Sequence, residues 1–530
     1  MQRLRKAAQK EHDMKLNYKR TILVGFAFFL ICAFWQAYDN TIPLILTNKF
    51  GMKQTWSGVI MALDNILALF MLPMFGAISD KLKSRYGRRT PFIVSGTILA
   101  AVMLIAISFV DAAQLKKLKD VAAIDDPAAL AVVYDEEQNA ELMTPDGDTF
   151  VLKDKYTKEA FTAITSQVTK DGKLKTNQEY TNYVVPARQA YARGVTASSP
   201  LTLVLFIIIL LIMLLSMSIF RSPAVALMPD VTIKPLRSKA NAIINLMGTA
   251  GGILVLGLGM VFSTGSVKNS MMSYMMYFAV VAGLMLLSLL VFRLTVKEPA
   301  WAQEMREDSV KYGVEETIEA ANENDRGLSK AEVRSLLFIL GSIVLWFFGY
   351  NAVTSKYSVY ATNILHTDYN LTLMIAQGAA IVAYLPVGII ASKIGRKKTI
   401  LAGVIMLTVA FGAAALMNSE SPTMLMNVLF ALAGIAWATI NVNSFPMVVE
   451  LASGGNIGKY TGFYYTASMA AQVATPMVSG FLMDKFGMRI LFPYAAVFVG
   501  LAFVTMLFVK HGDSKPEAKK GLEALEGVDD

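Results

Sequence analysis

Gly76-Ala-Ile-Ser-Asp80-Lys81, followed by Gly87-Arg88-Arg89, recurs in altered form as Gly388-Ile-Ile-Ala-Ser392-Lys393, followed by Gly395-Arg396-Lys397-Lys398. The shared pattern is Gly-x-x-x-polar-Lys, then a second glycine and a basic cluster. The first copy has four extra residues before its second glycine. Each copy closes one apolar block and leads into the next. A glycine on a membrane helix lets a neighbouring helix approach closely. An acid at a helix end pairs with the basic cluster or with a facing helix N-terminus. One copy alone reads equally well as an ordinary basic loop. Two copies in register, each after the second apolar block of its half, mark a duplicated architecture with conformational-switch loops. The residues assigned to those loops are Gly76, Asp80, Arg85, Gly87, Arg88 and Arg89 in one half, and Gly388, Lys393, Gly395 and Arg396 in the other.

Outward from these loops the chain is a succession of apolar runs. It has 530 residues, 55% of them hydrophobic, and a mean hydropathy of +0.47. Leu201–Phe220 and Met272–Phe292 contain no charged residue. A run of about 18 or more apolar residues crosses ~30 Å of hydrocarbon as a helix. Twelve spans are expected, near 21–47, 55–79, 91–111, 200–228, 239–262, 272–296, 333–362, 371–392, 399–417, 423–449, 460–483 and 490–510. The fold class is therefore an all-α membrane protein of two six-helix pseudo-symmetric halves. The expected division is an N-terminal segment 1–20, a first half 21–296, a linker 297–332, a second half 333–510 and a tail 511–530.

The net charge of +9 does not point to nucleic acid, because the excess basic residues sit in short loops between apolar blocks. Those on the side of the termini carry thirteen Lys and Arg against five on the other side, and the N-terminal segment adds seven more. That asymmetry places both termini in the cytoplasm of a multi-pass cell-membrane protein. The one cysteine, Cys32, lies inside the first apolar run, so no disulfide can form within the chain. The three histidines, His12, His366 and His511, fall in tails or loops. With no P-loop and no nucleophile–base set, neither direct ATP use nor an enzyme is expected, and no metal or cofactor site. Residues 112–199 form a long insertion on the extracytoplasmic side, between spans three and four. It contains a turn-to-strand signal, Thr144-Pro-Asp-Gly-Asp-Thr-Phe-Val-Leu152, and seven Tyr and Phe from Tyr134 to Tyr191. Both a small ordered cap and an unstructured loop fit it.

The paired loops resemble the signature loop of the major facilitator superfamily. The second copy departs from it with Ser392 where an aspartate is common. A lookalike, Gly480-Phe-Leu-Met-Asp484-Lys-Phe-Gly487, falls on the opposite side by helix count. Three stretches resemble, more narrowly, the sucrose–proton symporter family and the related glycoside–cation symporters. They are Lys83-Ser-Arg-Tyr-Gly-Arg-Arg-Thr-Pro-Phe-Ile93, then Arg221-Ser-Pro-Ala-Val-Ala-Leu-Met-Pro-Asp230 with Lys239-Ala-Asn-Ala242, and Gly434-Ile-Ala-Trp437 through Pro446 with Gly458-Lys-Tyr-Thr-Gly462 and Gln472. The resemblance implies a glycoside as substrate and, commonly, a proton as coupling ion. Plant members carry an acid in span four; here Leu214–Phe220 has none.

Ionisable groups inside a span are costly and mark function by default. Asp39, Asp64 and Arg221 are such groups. A coupling carboxylate must gain and lose a proton, and burial and a nearby cation act on it in opposite senses. Asp64 and Asp39 are the expected pair, with Arg221 as partner cation; a structural ion pair is the competing reading. Lys356, near the end of span seven, is expected to snorkel. Expected substrate contacts are Asn40 and Asn65, Asn241 and Asn245 on span five, and Trp346, Tyr350 and Tyr357 on span seven. Trp437 and Asn441 on span ten and Tyr464 and Gln472 on span eleven complete the set. Their helical spacing aligns each group on one face, although small and polar residues also serve plain helix packing. The expected function is proton-coupled import of a glycoside or oligosaccharide by a monomer in the lipid bilayer. The alternatives are a proton-driven exporter of an amphipathic compound and a non-transporting sensor on the same fold.

Overall fold

The computed structural model describes residues 15–170, 172–233, 236–312, 328–449, 451 and 457–512. Arg3, Arg5, Lys6 and Lys10, the acidic part of the linker at 315–323 and the tail beyond 512 lie outside the described residues, as do the side chains of Ser392, Lys239 and Lys459.

Among the described residues the bundle has twelve long helices: α1 Tyr18–Asn48, α2 Gln54–Lys81, α3 Thr90–Lys117, α4 Leu201–Val231, α5 Arg237–Val261 and α6 Met275–Thr295, then α7 Lys330–Tyr360, α8 Tyr369–Ile394, α9 Arg396–Ala414, α10 Thr423–Val449, α11 Ile457–Phe486 and α12 Leu491–Leu507. Ten are long and apolar enough to span a membrane. Among the described residues α8 contributes the apolar stretch Tyr369–Tyr384. Helix α11 is diluted by Tyr464, Ser468, Gln472 and Thr475. Their starts follow from local chemistry. Asn17 accepts from Arg20 N at 3.1 Å to cap α1, Ser329 and Glu332 form a reciprocal capping box on α7, and Asp368 accepts from Asn370 N at 2.9 Å on α8. These side chains satisfy backbone donors that a helix start leaves open. Gly395, at φ +95°, breaks α8 from α9 without a loop.

Two apolar cores form, one within α1–α6 and one mainly within α7–α12. Helices α2 and α11 touch along Gln54–Met61 and diverge along Leu63–Lys81. A Cβ on Gly58 would lie 2.0 Å from Pro476 O, and one on Gly480 would lie 2.3 Å from Gln54 O, so this crossing needs glycine on both sides. The first and last described stretches sit at the other end, where Arg20 Nη2 donates to Glu304 Oε2 at 2.6 Å. Lys397 Nζ donates to Leu507 O at 3.0 Å, and Ser335 Oγ lies 2.9 Å from His511 Nδ1.

The insertion departs from pure helix. It contains helices Pro127–Glu137 and Val185–Ser198 and two antiparallel hairpins, β1 Glu141–Met143 with β2 Thr149–Val151, and β3 Gln167–Lys170 with β4 Lys173–Thr176. The Thr144–Leu152 signal is the turn of the first hairpin. Leu130, Val133, Tyr134, Phe161, Tyr180 and Val184 form a separate apolar cluster. Buried Arg188 donates to Ala123 O at 2.7 Å and Ile124 O at 3.0 Å, fixing the segment that leaves α3.

This cap grows from the first half but grips the second. Arg489 Nε donates to Asp146 Oδ1, and Met488 N donates to Pro145 O at 2.6 Å. Gly147 and Gly487, both at positive φ, pack backbone to backbone. His366 Nε2 lies 2.8 Å from Thr181 Oγ1. Burial pushes the His366 imidazole down to about 4, against a backbone hydrogen bond at Asn363 and the charge of Asp146. A free imidazole titrates near ~6.5, so docking favours the neutral ring. Its contribution is complete above ~6.5 and is lost as pH falls towards about 4. Hydrogen exchange of the cap amides, corrected for intrinsic rates, is expected to rise on acidification in the wild type and to rise less in His366→Gln. Equal slopes in the two proteins would contradict this.

Candidate functional site

The loop after α2 is an extended polar network. Arg88 Nε and Arg89 Nε donate to Asp230 Oδ2 at 2.9 and 2.8 Å. Arg89 also reaches Asp80 and Ser79. Glu298 accepts from the backbone N–H groups of Arg88, Arg89 and Thr90 at 2.7, 2.9 and 2.7 Å, capping α3. The Asp230 carboxylate holds the Arg88 guanidinium charged by its hydrogen bond. A Cβ on Gly76 would lie 2.9 Å from Ser222 Oγ, so the motif glycine marks an α2–α4 close approach. Gly87, at φ +100°, leaves room for Glu298. Arg85 packs on Tyr86 instead, its guanidinium 4.6 Å from the ring centre. Asp230 and Glu298 are the members the motif itself does not reveal. In the second half Gly395 and Arg396 join α8 to α9, Gly388 is half-buried and Lys393 is exposed.

The lookalike motif lies at the opposite end. Asp484 accepts from Gln54 N at 2.8 Å, Thr55 N at 2.7 Å and Thr55 Oγ1 at 2.5 Å. It therefore caps the start of α2 from across the bundle. Lys356 does not snorkel. It is 0% exposed and donates to Gln54 O at 2.8 Å. The reason is that α7 packs against α1, α11 and α12, so this side chain faces protein rather than the membrane surface.

Between the halves lies a cavity of about 500 Å³. Asp39, Asn40, Asp64, Asn65, Arg221, Tyr350, Trp437 and Gln472 all line it. Helix α2 has a one-residue irregularity at Ala62, and Asp64 lies in the first turn beyond it, Leu63 onward. Asn65 Nδ2 donates to Asp64 Oδ1 at 2.9 Å. The Arg221 guanidinium lies 5.8 Å from the Trp35 ring, and no carboxylate is within ion-pair distance of it among the described residues. Tyr350 and Trp437 stack with ring centres 3.6 Å apart and an interplanar angle of 4°.

The other expected contacts do not line the cavity. Trp346 and Tyr357 are fully buried in the second core, with Tyr357 against Phe430 at 4.2 Å. Tyr464 reaches Ser444 at 3.2 Å and Asn441 at 3.5 Å, joining α10 to α11. Asn241 is buried, and Asn245 Nδ2 is buried with no hydrogen-bond partner among the described residues. The cause is depth. Tyr357 shares a helix face with Tyr350 but sits ~10 Å along the axis at 1.5 Å per residue. On α5 the same face supplies Thr249 and Gly252 to the cavity instead. Gln36, Asn351 and Gln377 also line it. Their signal was an amide inside an apolar run, and for Gln36 an i, i+3, i+4 spacing with Asp39 and Asn40.

Residues 5–118 and 338–527 match the family model described as Major Facilitator Superfamily. The chain belongs to that superfamily, a class of multi-pass membrane transporters. A 60-residue stretch is 36% identical to the sucrose transport protein SUC4 of Arabidopsis thaliana, covering 11% of this chain and 12% of that protein. The fold is similar to the inward-open xylose transporter XylE of E. coli, with a TM-score of 0.56 at 13% identity over 96% of this chain and 98% of the other. It is equally similar to a bacterial homologue of the iron transporter ferroportin in its inward-facing state, with a TM-score of 0.57 at 12% identity over 93% and 99%.

Proposed function

We propose that this transporter imports a glycoside or oligosaccharide together with protons, by alternating access, with both termini in the cytoplasm. The observation that carries this is the composition of the central cavity. Two carboxylates and a guanidinium share it with a stacked aromatic pair and several amides. Its volume falls in the ~300–1,000 Å³ range of small-molecule sites. A sugar offers an apolar ring face to an aromatic plate and hydroxyls to amides. An amphipathic export substrate has no use for so many amides beside two carboxylates and a guanidinium, and their presence in the lining favours a polar solute. Similarity to a sucrose transport protein, although local, points the same way.

Asp64 and Asp39, with Arg221, take the coupling role that an acid in span four fills in plant relatives. Three ionised groups leave one net negative charge in the cavity. One proton makes the set neutral, which lowers the cost of closing it away from water. The coupling ion is the only cofactor in this reading, the bilayer and the sugar are the partners, and no covalent chemistry is involved.

Uptake of labelled disaccharides into vesicles under an imposed pH gradient tests it. The wild type is expected to accumulate sugar. Asp64→Asn is expected to lose gradient-driven accumulation entirely while still exchanging internal for external sugar. Binding without accumulation in the wild type would sink symport. Full accumulation by Asp64→Asn would sink the coupling assignment alone.

A further inference from the structure

At the cavity wall, two amides from opposite halves meet. Gln377 Nε2 of α8 donates to Gln36 Oε1 of α1 at 2.5 Å. Gly252 of α5 lies behind them. A Cβ there would sit 3.2 Å from Gln377 Oε1 and 3.3 Å from Gln36 Oε1. Gln36, Gln377 and Gly252 all line the cavity, together with the stacked Tyr350–Trp437 pair.

An amide offers one carbonyl and two N–H donors. Joining two amides by a single hydrogen bond leaves one carbonyl and one NH2 group over, whichever way each amide is turned. Here the remaining groups are Gln36 Nε2 and Gln377 Oε1, and neither has another hydrogen bond among the described residues. A hydroxyl both donates and accepts, and two adjacent hydroxyls can do so towards two partners. Such a ligand completes this pair, whereas a carboxylate offers only acceptors and an ammonium only donors.

We infer that Gln36 and Gln377 form a crossbar that reads vicinal hydroxyls of the substrate and, because its two ends belong to different halves, links sugar binding to the relative position of those halves. This rests on the glycoside reading above and assigns it to specific residues. A diol entering the pair exchanges one amide–amide bond for bonds to both halves. Gly252 keeps the floor clear so that the amides stay at this depth.

The test is binding of xylose, sucrose and the monodeoxy xyloses to purified full-length protein, read from tryptophan fluorescence, beside gradient-driven uptake. Removing one hydroxyl that pairs with buried amides is expected to weaken wild-type binding at least about tenfold. Gln36→Leu and Gln377→Leu are each expected to weaken binding of the parent sugar by a similar factor and to abolish the discrimination. Their double variant is expected to be no worse than either single one, because the two act as a unit. Gly252→Ala keeps both amides and shifts only their placement; it is expected to lower affinity by a smaller factor without loss of folded protein. Wild-type affinity and discrimination in both leucine variants would overturn the crossbar while leaving sugar uptake standing. Failure of the wild type to bind any of these sugars would overturn it as well. Sugar binding with the expected variant pattern but without gradient-driven uptake supports the crossbar and refutes only the symport reading.

Discussion

Asp111→Ala is expected to destabilise the protein by about 3–5 kcal/mol, the usual cost of removing one partner from a buried ion pair. Lys49 and Asp111 are bonded with both side chains 0% exposed. Lys49 Nζ also donates to Met272 O at 2.7 Å and lies 4.8 Å from the centre of the Tyr274 ring. Asp111 accepts from Tyr274 N at 3.2 Å. The pair thus ties the end of α1 to α3 and to the start of α6. Without Asp111, Lys49 keeps only the Met272 carbonyl and the face of the Tyr274 ring, and no counter-charge. Thermal unfolding in detergent measures this. The double variant Lys49→Met with Asp111→Leu, which removes both charges, is expected to recover most of the loss. A double variant as unstable as Asp111→Ala would mean that packing, not the unpaired charge, dominates.

Gly58→Leu is expected to abolish closure at the cap end. A Cβ at this position would lie 2.0 Å from Pro476 O, a backbone atom that cannot move aside. The first turn of α2 would leave α11, and Asp484 and Lys356 would lose Gln54 and Thr55. Cys32 reports the outcome, since it lines the cavity and the chain has no other cysteine. In the wild type a membrane-impermeant maleimide is expected to reach Cys32 from the side of the termini, where α2 and α11 diverge. In Gly58→Leu labelling is expected from the cap side, and net uptake to fall to background. Unchanged sidedness would show that the α2–α11 crossing is not the gate.

The candidate site was partly legible because charge and amide groups are rare inside apolar runs. Asp39, Asp64 and Arg221 were visible on that ground, and all three line the cavity. Helical spacing chose the correct faces of α5, α7 and α10 but not the depth. Trp346, Tyr357 and Asn441 share faces with Tyr350 and Trp437, yet they are buried in packing. Lys49 and Asp111 stand at helix ends, where a charge draws no attention, and Lys356 stood where snorkelling is ordinary. In each case the deciding fact was the neighbour supplied by another helix.

Membrane class, helix count and the two-half duplication were readable along the chain alone. Those depend on local length, apolarity and a repeated loop, each of which a single segment carries. The sequence also announced the turn of the first hairpin of the insertion and the strand-like run after it. Tertiary structure alone decided that the cap, rooted in the first half, holds Arg489 and His366 of the second. It alone decided that Asp484 caps a helix more than four hundred residues earlier, and that Gln36 meets Gln377. Such pairings join residues with no sequence relation, and only the packing of helices against each other brings them within hydrogen-bond reach.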